Sequence, residues 1–242
     1  MALANMHAAQ SQIINIENAR MHSDTVGWMG HVGLSGSLTK NTEQVLMAQI
    51  NAQVQYKTKK DLFLVLGNYG FLSGSSVNLI NNSFAHFRYN RKLTESLRLE
   101  VFSQVLQNAI TKIDYRFLQG AGPRFKVVNK NNFRFYLASL IMFEHEKEIA
   151  SPAIIHNDWR SCSYASLSWQ PNPNTELVST FFYQPLFNMI ADYRFFNQSQ
   201  FTVKAGKRLS LAVNYNYLFD TRPAGATPKV NYTLSTGLQY HF

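Results

Sequence analysis

Charged side chains that alternate with apolar ones are the residues of this sequence whose types and spacing could do chemistry. They stand at Arg88, Arg98, Glu100, Arg116, Arg124, Lys126, Arg134, Glu144, Glu146, Arg160, Arg194 and Lys204. Successive side chains of an extended strand point to opposite faces, so this spacing predicts a charged face and an apolar face. Basic side chains around an enclosed passage would favour anions, whereas arginines beside glutamates would pair and fill the space.

A second possible chemistry is hydrolysis by a histidine and a serine. His145 shares the apolar face of its predicted strand with Ser161 and Ser163 of the next strand. A histidine there could act as base for a serine nucleophile if a third group, for which Gln119 is the polar candidate, oriented it. Lipid hydrolases of bacterial outer membranes commonly carry His-x-Ser on one strand, and this sequence has no such motif. We therefore predict no enzymatic activity and no catalytic residue, with a lipid-modifying hydrolase as the alternative.

Other site chemistries are disfavoured by residue spacing. Cys162 is the only cysteine, and the histidines are isolated from one another, so no metal site or disulfide is predicted. The formal net charge of +9 is scattered and forms no basic helix face, which argues against a nucleic-acid partner. Gly120-x-Gly122 lies in a strand-like segment that precedes no helix, so it predicts no phosphate loop. We expect no cofactor.

The elements that must position these residues are strands. From Val230 to Phe242 the chain alternates apolar and polar residues without interruption, and about twelve such segments of roughly ten residues follow one another along the sequence. No apolar run reaches the length of about 18 residues that a membrane-spanning helix needs. The prediction is an all-β fold, a closed antiparallel transmembrane β-barrel of about 12 strands, because a barrel pairs its backbone groups without a continuous apolar segment.

The predicted connections alternate in length. Short polar connections, such as Thr58–Asp61 and Asn129–Asn132, alternate with longer ones, such as Pro185–Asp192 and Thr221–Lys229. This asymmetry is typical of outer-membrane barrels, which have short periplasmic turns and longer extracellular loops. It places Arg116, Glu144, Glu146, Arg160 and Arg194 near the long loops, and Arg98, Glu100, Arg124, Lys126, Arg134 and Lys204 near the short turns. The first group mixes signs and predicts an ion-pair network, while the second is mostly basic and predicts a preference for anions.

A soluble double sheet is the alternative fold, with the apolar faces buried against each other. Aromatic residues near the strand ends favour the membrane barrel, because aromatic girdles mark both interfaces of such barrels. They are Trp28, Tyr56, Tyr115, Phe133, Phe143, Trp159, Trp169, Tyr193, Phe219 and Phe242. We therefore expect a monomeric barrel in a bacterial outer membrane.

The two ends of the chain carry expectations about export and assembly. Residues 1–24 contain small residues that resemble the end of an export signal, so we expect a leader remnant or periplasmic arm there and a barrel over residues 25–242. Tyr240 and Phe242 resemble the terminal strand of Gram-negative outer-membrane barrels, in which a C-terminal Phe is part of the assembly signal. The expected partners are outer-membrane lipid and lipopolysaccharide, the barrel assembly machinery at this strand, and other envelope proteins.

Five segments together carry a family resemblance. Lys57–Lys60, Leu66–Tyr69, Phe84–Asn90, Leu99–Phe102 and Gly120–Phe125 are similar to the salt-induced outer-membrane protein family, domain of unknown function family 481. The resemblance covers most of the chain, from about Gly27 to Phe242, and implies a bacterial envelope protein of Bacteroidetes-like source. It implies no activity and no site residue. The sequence therefore predicts an envelope barrel that is either a structural or partner-binding protein or a narrow, anion-favouring channel.

Overall fold

The chain forms one antiparallel sheet of twelve strands. The computed structural model describes residues 26–40, 44–74, 80–206, 209–225 and 227–240. The strands are β1 (Gly27–Lys40), β2 (Gln44–Lys57), β3 (Asp61–Gly74), β4 (Ile80–Lys92), β5 (Leu97–Asn108), β6 (Ile113–Lys130), β7 (Phe133–Glu148), β8 (Ile155–Asn172), β9 (Thr175–Pro185), β10 (Tyr193–Lys204), β11 (Leu209–Asp220) and β12 (Val230–Tyr240). Their hydrogen-bonded order follows the chain from β1 to β12, which confirms the predicted antiparallel all-β fold and strand number.

The connections define two rims. The short-turn rim carries residues 58–60, 93–96, 131–132, 173–174 and 205–206, and the long-loop rim carries among others 149–154, 186–192, 221–225 and 227–229. Several loops are shorter than predicted, because the backbone ladder continues beyond the alternating apolar segment. β8, for example, extends over Ile155–Asn172. Hydrogen bonds between strands hold such ends in place without needing an apolar partner.

The outward face of the sheet is apolar and uncovered. Side chains from the first strand to the last contribute to it, among them Val32, Leu34, Ile50, Val65, Phe87, Leu99, Phe125, Ile141, Trp159, Phe181, Phe201, Tyr232, Leu234 and Leu238, all exposed. A continuous apolar surface of this extent marks contact with a membrane or another protein. The single sheet contradicts the alternative of two packed sheets, in which these side chains would be buried.

Aromatic rings contact one another in rows near both rims. At the short-turn end, ring centroids are 4.7 Å apart for Trp28 and Tyr56, and 4.9 Å apart for Phe63 and Tyr89. At the long-loop end, Tyr193 stacks near Phe219 with centroids 5.7 Å apart. These rows have the placement of interfacial girdles.

The sheet curls around its inward face. Arg194 of β10 reaches Glu144 of β7 at 2.6 Å, and the hydroxyl of Tyr164 in β8 lies 2.9 Å from Glu100 of β5. Each contact passes over intervening strands, which a flat sheet could not allow. The inward side chains of these strands therefore share one interior.

Some expectations fall on residues outside the described ranges. They are the leader remnant or arm at residues 1–24 and Phe242 of the assembly signal; Tyr240 is the last residue of β12. Among the described residues, no helix has the length and apolarity to cross a membrane.

Candidate functional site in the interior

Strand β7 gives the order of the interior from one rim to the other. Its inward side chains change from polar to apolar to acidic, in the order Arg134, Tyr136, Ala138, Leu140, Met142, Glu144, Glu146 and Glu148. Neighbouring strands continue each band around the interior. We name the bands, from the short-turn rim, the vestibule, the apolar layer and the ion-pair layer.

The ion-pair layer is centred on Glu144, which is 1% exposed. Arg116 Nε lies 3.0 Å from Glu144 Oε1, Arg194 Nη1 lies 2.6 Å from the same oxygen, and Arg160 Nε donates to Oε2 at 2.8 Å. Arg116 also pairs with Glu146. Three guanidinium groups thus converge on one carboxylate, an arrangement that is stable away from water only when the charges are matched.

Two further carboxylates balance the positive charges of these arginines. Arg194 Nε lies 2.8 Å from Asp220 Oδ2, and Arg160 Nη1 lies 3.2 Å from Asp192 Oδ1. Asp220 ends β11 and Asp192 stands just before β10, so the network joins strands from β6 to β11. The mixed-sign group near the long loops therefore forms the ion-pair network that the sequence predicts.

The long-loop rim above this layer is covered by the loop after β11. The backbone N–H of Gly225 donates to Glu148 Oε2 at 2.9 Å, and Ala224 packs with Leu106 and Ile113. A cavity beneath the loop measures about 10 Å³, which is about the space that one water molecule needs.

The apolar layer lies beneath the ion-pair layer and was missed by the sequence analysis, which expected a polar inward face. Its members are Phe102, Leu118, Ala138, Leu140, Met142, Cys162, Tyr164, Phe182, Phe196 and Leu218, all buried. The signal that could have shown it is in β7, where residues 135–143 are mostly apolar on both faces. A strand with two apolar faces has no water on either side.

Two glycines of β6 allow the apolar layer to pack closely. A Cβ atom at Gly120 would lie 2.5 Å from Cε1 of Phe102, so the phenyl ring occupies the space above the glycine. A Cβ atom at Gly122 would overlap the carbonyl oxygen of Ser139 and lie 2.7 Å from Cα of Leu140. The β6 and β7 backbones approach each other here more closely than any residue with a side chain permits.

A polar chain lines the wall formed by β4 and β5 beside the apolar layer. Arg88 Nη1 donates to Glu100 at 3.0 Å, Arg88 Nε donates to His86 at 3.2 Å, and His86 contacts Gln104 at 2.9 Å. The Tyr164 hydroxyl lies 2.9 Å from both oxygens of Glu100. These buried groups satisfy one another, as polar groups in such a place must.

The vestibule is a cavity of about 610 Å³ at the short-turn rim. Turn residues 58–60 and 129–131 form its edge. Its cationic lining residues are Lys57, Lys59, Lys60, Lys92, Arg98, Lys126, Lys130 and Arg134, and its one lining carboxylate is that of Asp61. At its inner end the Arg124 guanidinium lies 4.0 Å from the ring centroid of Tyr136, in the geometry of a cation–π contact.

Two carboxylates near the vestibule, those of Asp61 and Glu95, have partners at the rim. Asp61 accepts hydrogen bonds from Arg91 and Tyr89, each at 2.8 Å. Glu95, in the turn after β4, accepts one from Lys92 at 2.5 Å, and this hydrogen bond lowers the pKa of Glu95. The remaining cations of the vestibule thus face a cavity that is deficient in negative charge.

The structure places the predicted charged residues in different surroundings. Arg116, Glu144, Glu146, Arg160 and Arg194 lie in the ion-pair layer, Arg88 and Glu100 in the polar wall, Arg124 against Tyr136, and Arg98, Lys126 and Arg134 in the vestibule. Lys204 is the exception, because it is exposed at the end of β10 and does not line the vestibule. At a strand end a long lysine side chain reaches water instead of the interior.

The hydrolase residues do not come together. His145 Nδ1 contacts Asn157 at 2.7 Å, whereas Ser161 faces Ile141 in the β7–β8 register. Four residues separate His145 from Ile141, a distance of about 13 Å along a strand. Ser163 contacts Ser139 at 3.3 Å. Within the described ranges, no cluster of His, Cys, Asp and Glu forms a possible metal site.

Comparisons with solved structures show the kind of fold. The chain is similar to the translocator domain of the autotransporter NalP from Neisseria meningitidis, with a TM-score of 0.53, 10% identity and 90% coverage of each chain. It is also similar to the NanC porin, with a TM-score of 0.50, 8% identity, and coverage of 89% of this chain and 99% of that one. At these identities the likeness establishes the fold, that of outer-membrane β-barrels.

Comparisons of sequence give the family. A search of curated proteins finds no match. The sequence profile of the family described as "Protein of unknown function, DUF481" matches residues 32–242, which agrees with the predicted resemblance. The chain therefore belongs to this DUF481 family of proteins of unknown function.

Proposed function

We propose that this protein is an outer-membrane envelope barrel whose interior is plugged, so that it acts as a structural or partner-binding protein and not as an open pore. The observation that carries the proposal is the pair of stacked buried layers. An ion-pair layer contributed by strands from β6 to β11 and an apolar layer contributed by strands from β5 to β11 fill the interior between the long-loop rim and the vestibule. Side chains from the wall can fill a barrel of this size without a separate plug domain.

The orientation follows from the rims. Outer-membrane barrels place short turns in the periplasm and longer loops outside the cell, so the vestibule would open to the periplasm. The covered end with its ion-pair layer would face the exterior. A barrel built this way resists passage of solutes from outside and offers a basic surface to the periplasm.

Conductance in planar bilayers tests the plug. The purified wild-type protein is expected to give no steady current. Replacing Phe102 and Phe182 with alanine removes two buried rings from the apolar layer, where each is at most 2% exposed, and should produce a small current. The matched control replaces Phe87 and Phe181, each 41% exposed on the outward face, and should remain silent. A silent Phe102→Ala/Phe182→Ala barrel would count against the apolar layer as the plug.

A narrow, anion-favouring channel is the second candidate function. The basic lining of the vestibule favours it, since rings of arginine and lysine select anions. A steady anion-selective current from the wild-type protein would establish the channel and refute the plugged barrel.

We also propose that the protein has no hydrolase activity. The separation of His145 from Ser161 supports this, because a general base must lie within hydrogen-bond reach of its nucleophile. Incubation with phospholipid and lipid A should yield no product. Turnover that disappears in Ser161→Ala or Ser163→Ala, but persists in Ser179→Ala, would overturn the proposal.

A further inference from the structure

The vestibule contains polar side chains that lack partners, in addition to its excess of cations. Asn90 is 2% exposed, and neither Nδ2 nor Oδ1 of its amide has a hydrogen-bond partner among the described residues. Gln55, also 2% exposed, has an unpartnered Oε1, and Arg98 has an unpartnered buried Nε. All three residues line the vestibule. Buried polar groups nearly always have partners, so a cluster without them indicates a site that another molecule completes.

We propose that the vestibule is a binding site for a small phosphate ester that also carries hydroxyl groups. The cations of the vestibule indicate that the ligand carries a phosphate group. Arg98, Lys126, Lys130 and Arg134 converge on the cavity from β5, β6 and β7. Guanidinium and ammonium groups form their strongest hydrogen bonds with phosphate and carboxylate oxygens.

The unpartnered acceptor atoms of the vestibule indicate that the ligand carries hydroxyl groups as well as phosphate. Oδ1 of Asn90 and Oε1 of Gln55 accept hydrogen bonds and cannot be satisfied by a phosphate oxygen, whereas a hydroxyl group donates to them. Nδ2 of Asn90 and Nε of Arg98 are donors that a phosphate oxygen satisfies. One ligand with both kinds of group would satisfy the inner end of the vestibule.

The size and position of the cavity restrict the ligand further. About 610 Å³ lies within the range of 300–1,000 Å³ that is usual for small-molecule sites. The turns at residues 58–60 and 129–131 admit a ligand from the short-turn side. The same chemistry occurs in a soluble sugar phosphate and in the headgroup of phosphatidylglycerol, so the experiment must separate these sources.

The test is isothermal titration calorimetry of the full chain in phosphatidylcholine nanodiscs. Fructose 1,6-bisphosphate is the soluble probe, and fructose is its uncharged control. We expect saturable binding of the bisphosphate that weakens as salt rises, and no binding of fructose. In nanodiscs that contain phosphatidylglycerol, an unchanged affinity identifies a soluble ligand, and a reduced affinity identifies the lipid headgroup as a competitor for the same site.

Matched variants locate the binding. Lys126→Gln with Arg134→Gln removes two vestibule charges and should lower the association constant about tenfold or more, because charge-assisted hydrogen bonds are lost. Arg222→Gln with Lys229→Gln makes the same change of net charge on the long-loop rim and should leave the constant unchanged. Asn90→Ala keeps every charge and should still weaken binding several-fold, which simple attraction to a basic surface would not produce.

Several results would overturn the proposal. They are the absence of bisphosphate binding in both kinds of nanodisc, equal losses in the vestibule and long-loop variants, and unchanged binding in Asn90→Ala. Tighter binding of a poly-glutamate peptide than of the bisphosphate would assign the vestibule to an acidic protein segment instead. Far-UV circular dichroism of each variant shows that the sheet is retained. The binding measurement is independent of whether the apolar layer conducts.

Discussion

Arginine side chains have opposite surroundings at the two ends of the interior. In the ion-pair layer, Arg116, Arg160 and Arg194 each contact at least one buried carboxylate. In the vestibule, Arg98 and Arg134 line a cavity in which Asp61 supplies the one lining carboxylate among the described residues, and Asp61 is engaged by Arg91. Both sets alternate with apolar residues in the sequence. Carboxylates balance the arginines at one end of the interior, whereas cations outnumber carboxylates at the other end.

Between these ends lies the apolar layer, whose buried rings and aliphatic chains carry no charge. Each end therefore balances its charges with its own surroundings. The ion-pair layer does so with side chains from its own strands. The vestibule can use solvent ions or a ligand.

The largest effect is expected from Glu144→Gln, which removes the central carboxylate of the ion-pair layer. The substitution keeps the volume but leaves Arg116, Arg160 and Arg194 without their shared partner. We expect the free energy of unfolding in detergent to fall by about 3–5 kcal/mol, as when one member of a buried ion pair is removed. Denaturant titration followed by tryptophan fluorescence measures the change.

Glu95→Gln is the matched control for this substitution, because Glu95 is in an exposed turn and contacts one lysine. It should change the free energy of unfolding far less than Glu144→Gln does, because water and salt screen an exposed ion pair. If both substitutions lowered the free energy of unfolding equally, the pairing of charges in the ion-pair layer would stabilise the protein no more than an exposed ion pair does.

The next largest effect is expected at the close approach of β6 and β7. Gly122→Ala forces a Cβ atom against the backbone of Ser139 and Leu140. We expect a loss of about 3 kcal/mol, the upper end of the range for overpacking, because backbone atoms cannot rotate away. Gly67→Ala is the control, since a Cβ atom there would meet only Phe84 O at 3.9 Å. If Gly122→Ala left the free energy of unfolding unchanged, the close approach of β6 and β7 would not be the boundary between the ion-pair layer and the vestibule.

A smaller effect is expected at the polar wall. Tyr164→Phe removes the hydroxyl that lies 2.9 Å from both oxygens of Glu100. A hydrogen bond to a charged group contributes about 1.5–3 kcal/mol, so we expect a loss of about 2 kcal/mol in the same denaturant titration. Tyr232→Phe, on the exposed outward face, should show no comparable loss. If the free energy of unfolding of Tyr164→Phe were unchanged, the hydrogen bond from Tyr164 would not be needed to stabilise Glu100.

The smallest effect is expected at the exposed pair of Arg91 and Asp61. Arg91 is 45% exposed and its ion pair measures 2.8 Å. Arg91→Gln should lower the free energy of unfolding less than the three substitutions above, because water and salt screen exposed pairs. A loss as large as that of Glu144→Gln would remove the distinction between buried and exposed ion pairs on which the comparison depends.

Local sequence predicted the wall of this protein well. The strict alternation in β12, from Val230 to Tyr240, assigns one face to the outside, and Tyr232, Leu234 and Leu238 are indeed exposed there. The strand number and the alternation of short and long connections follow from the same two-residue period. These features depend only on neighbours along the chain and on the pairing of adjacent strands.

The interior was predicted only in part. The mixed signs of Arg116, Glu144 and Arg194 correctly suggested an ion-pair network, but the sequence analysis assumed that every inward residue was polar. Leu118 and Phe182 break that assumption, since both belong to a buried cluster whose members come from strands as far apart in the chain as β5 and β11. Their surroundings depend on the curvature of the sheet, which the period of two does not encode.

The sequence alone determined which side chains share a face, because alternation is a property of the extended backbone. It also determined the strand count, the family and the excess of positive charge. Only the tertiary structure decided which inward charges meet a partner. Curling brings Glu144 of β7 to Arg194 of β10, whereas among the described residues only Asp61, itself paired with Arg91, brings a carboxylate to the vestibule lining. Whether two charges pair across the interior depends on their distance in the folded protein. The local sequence around each residue does not contain that distance.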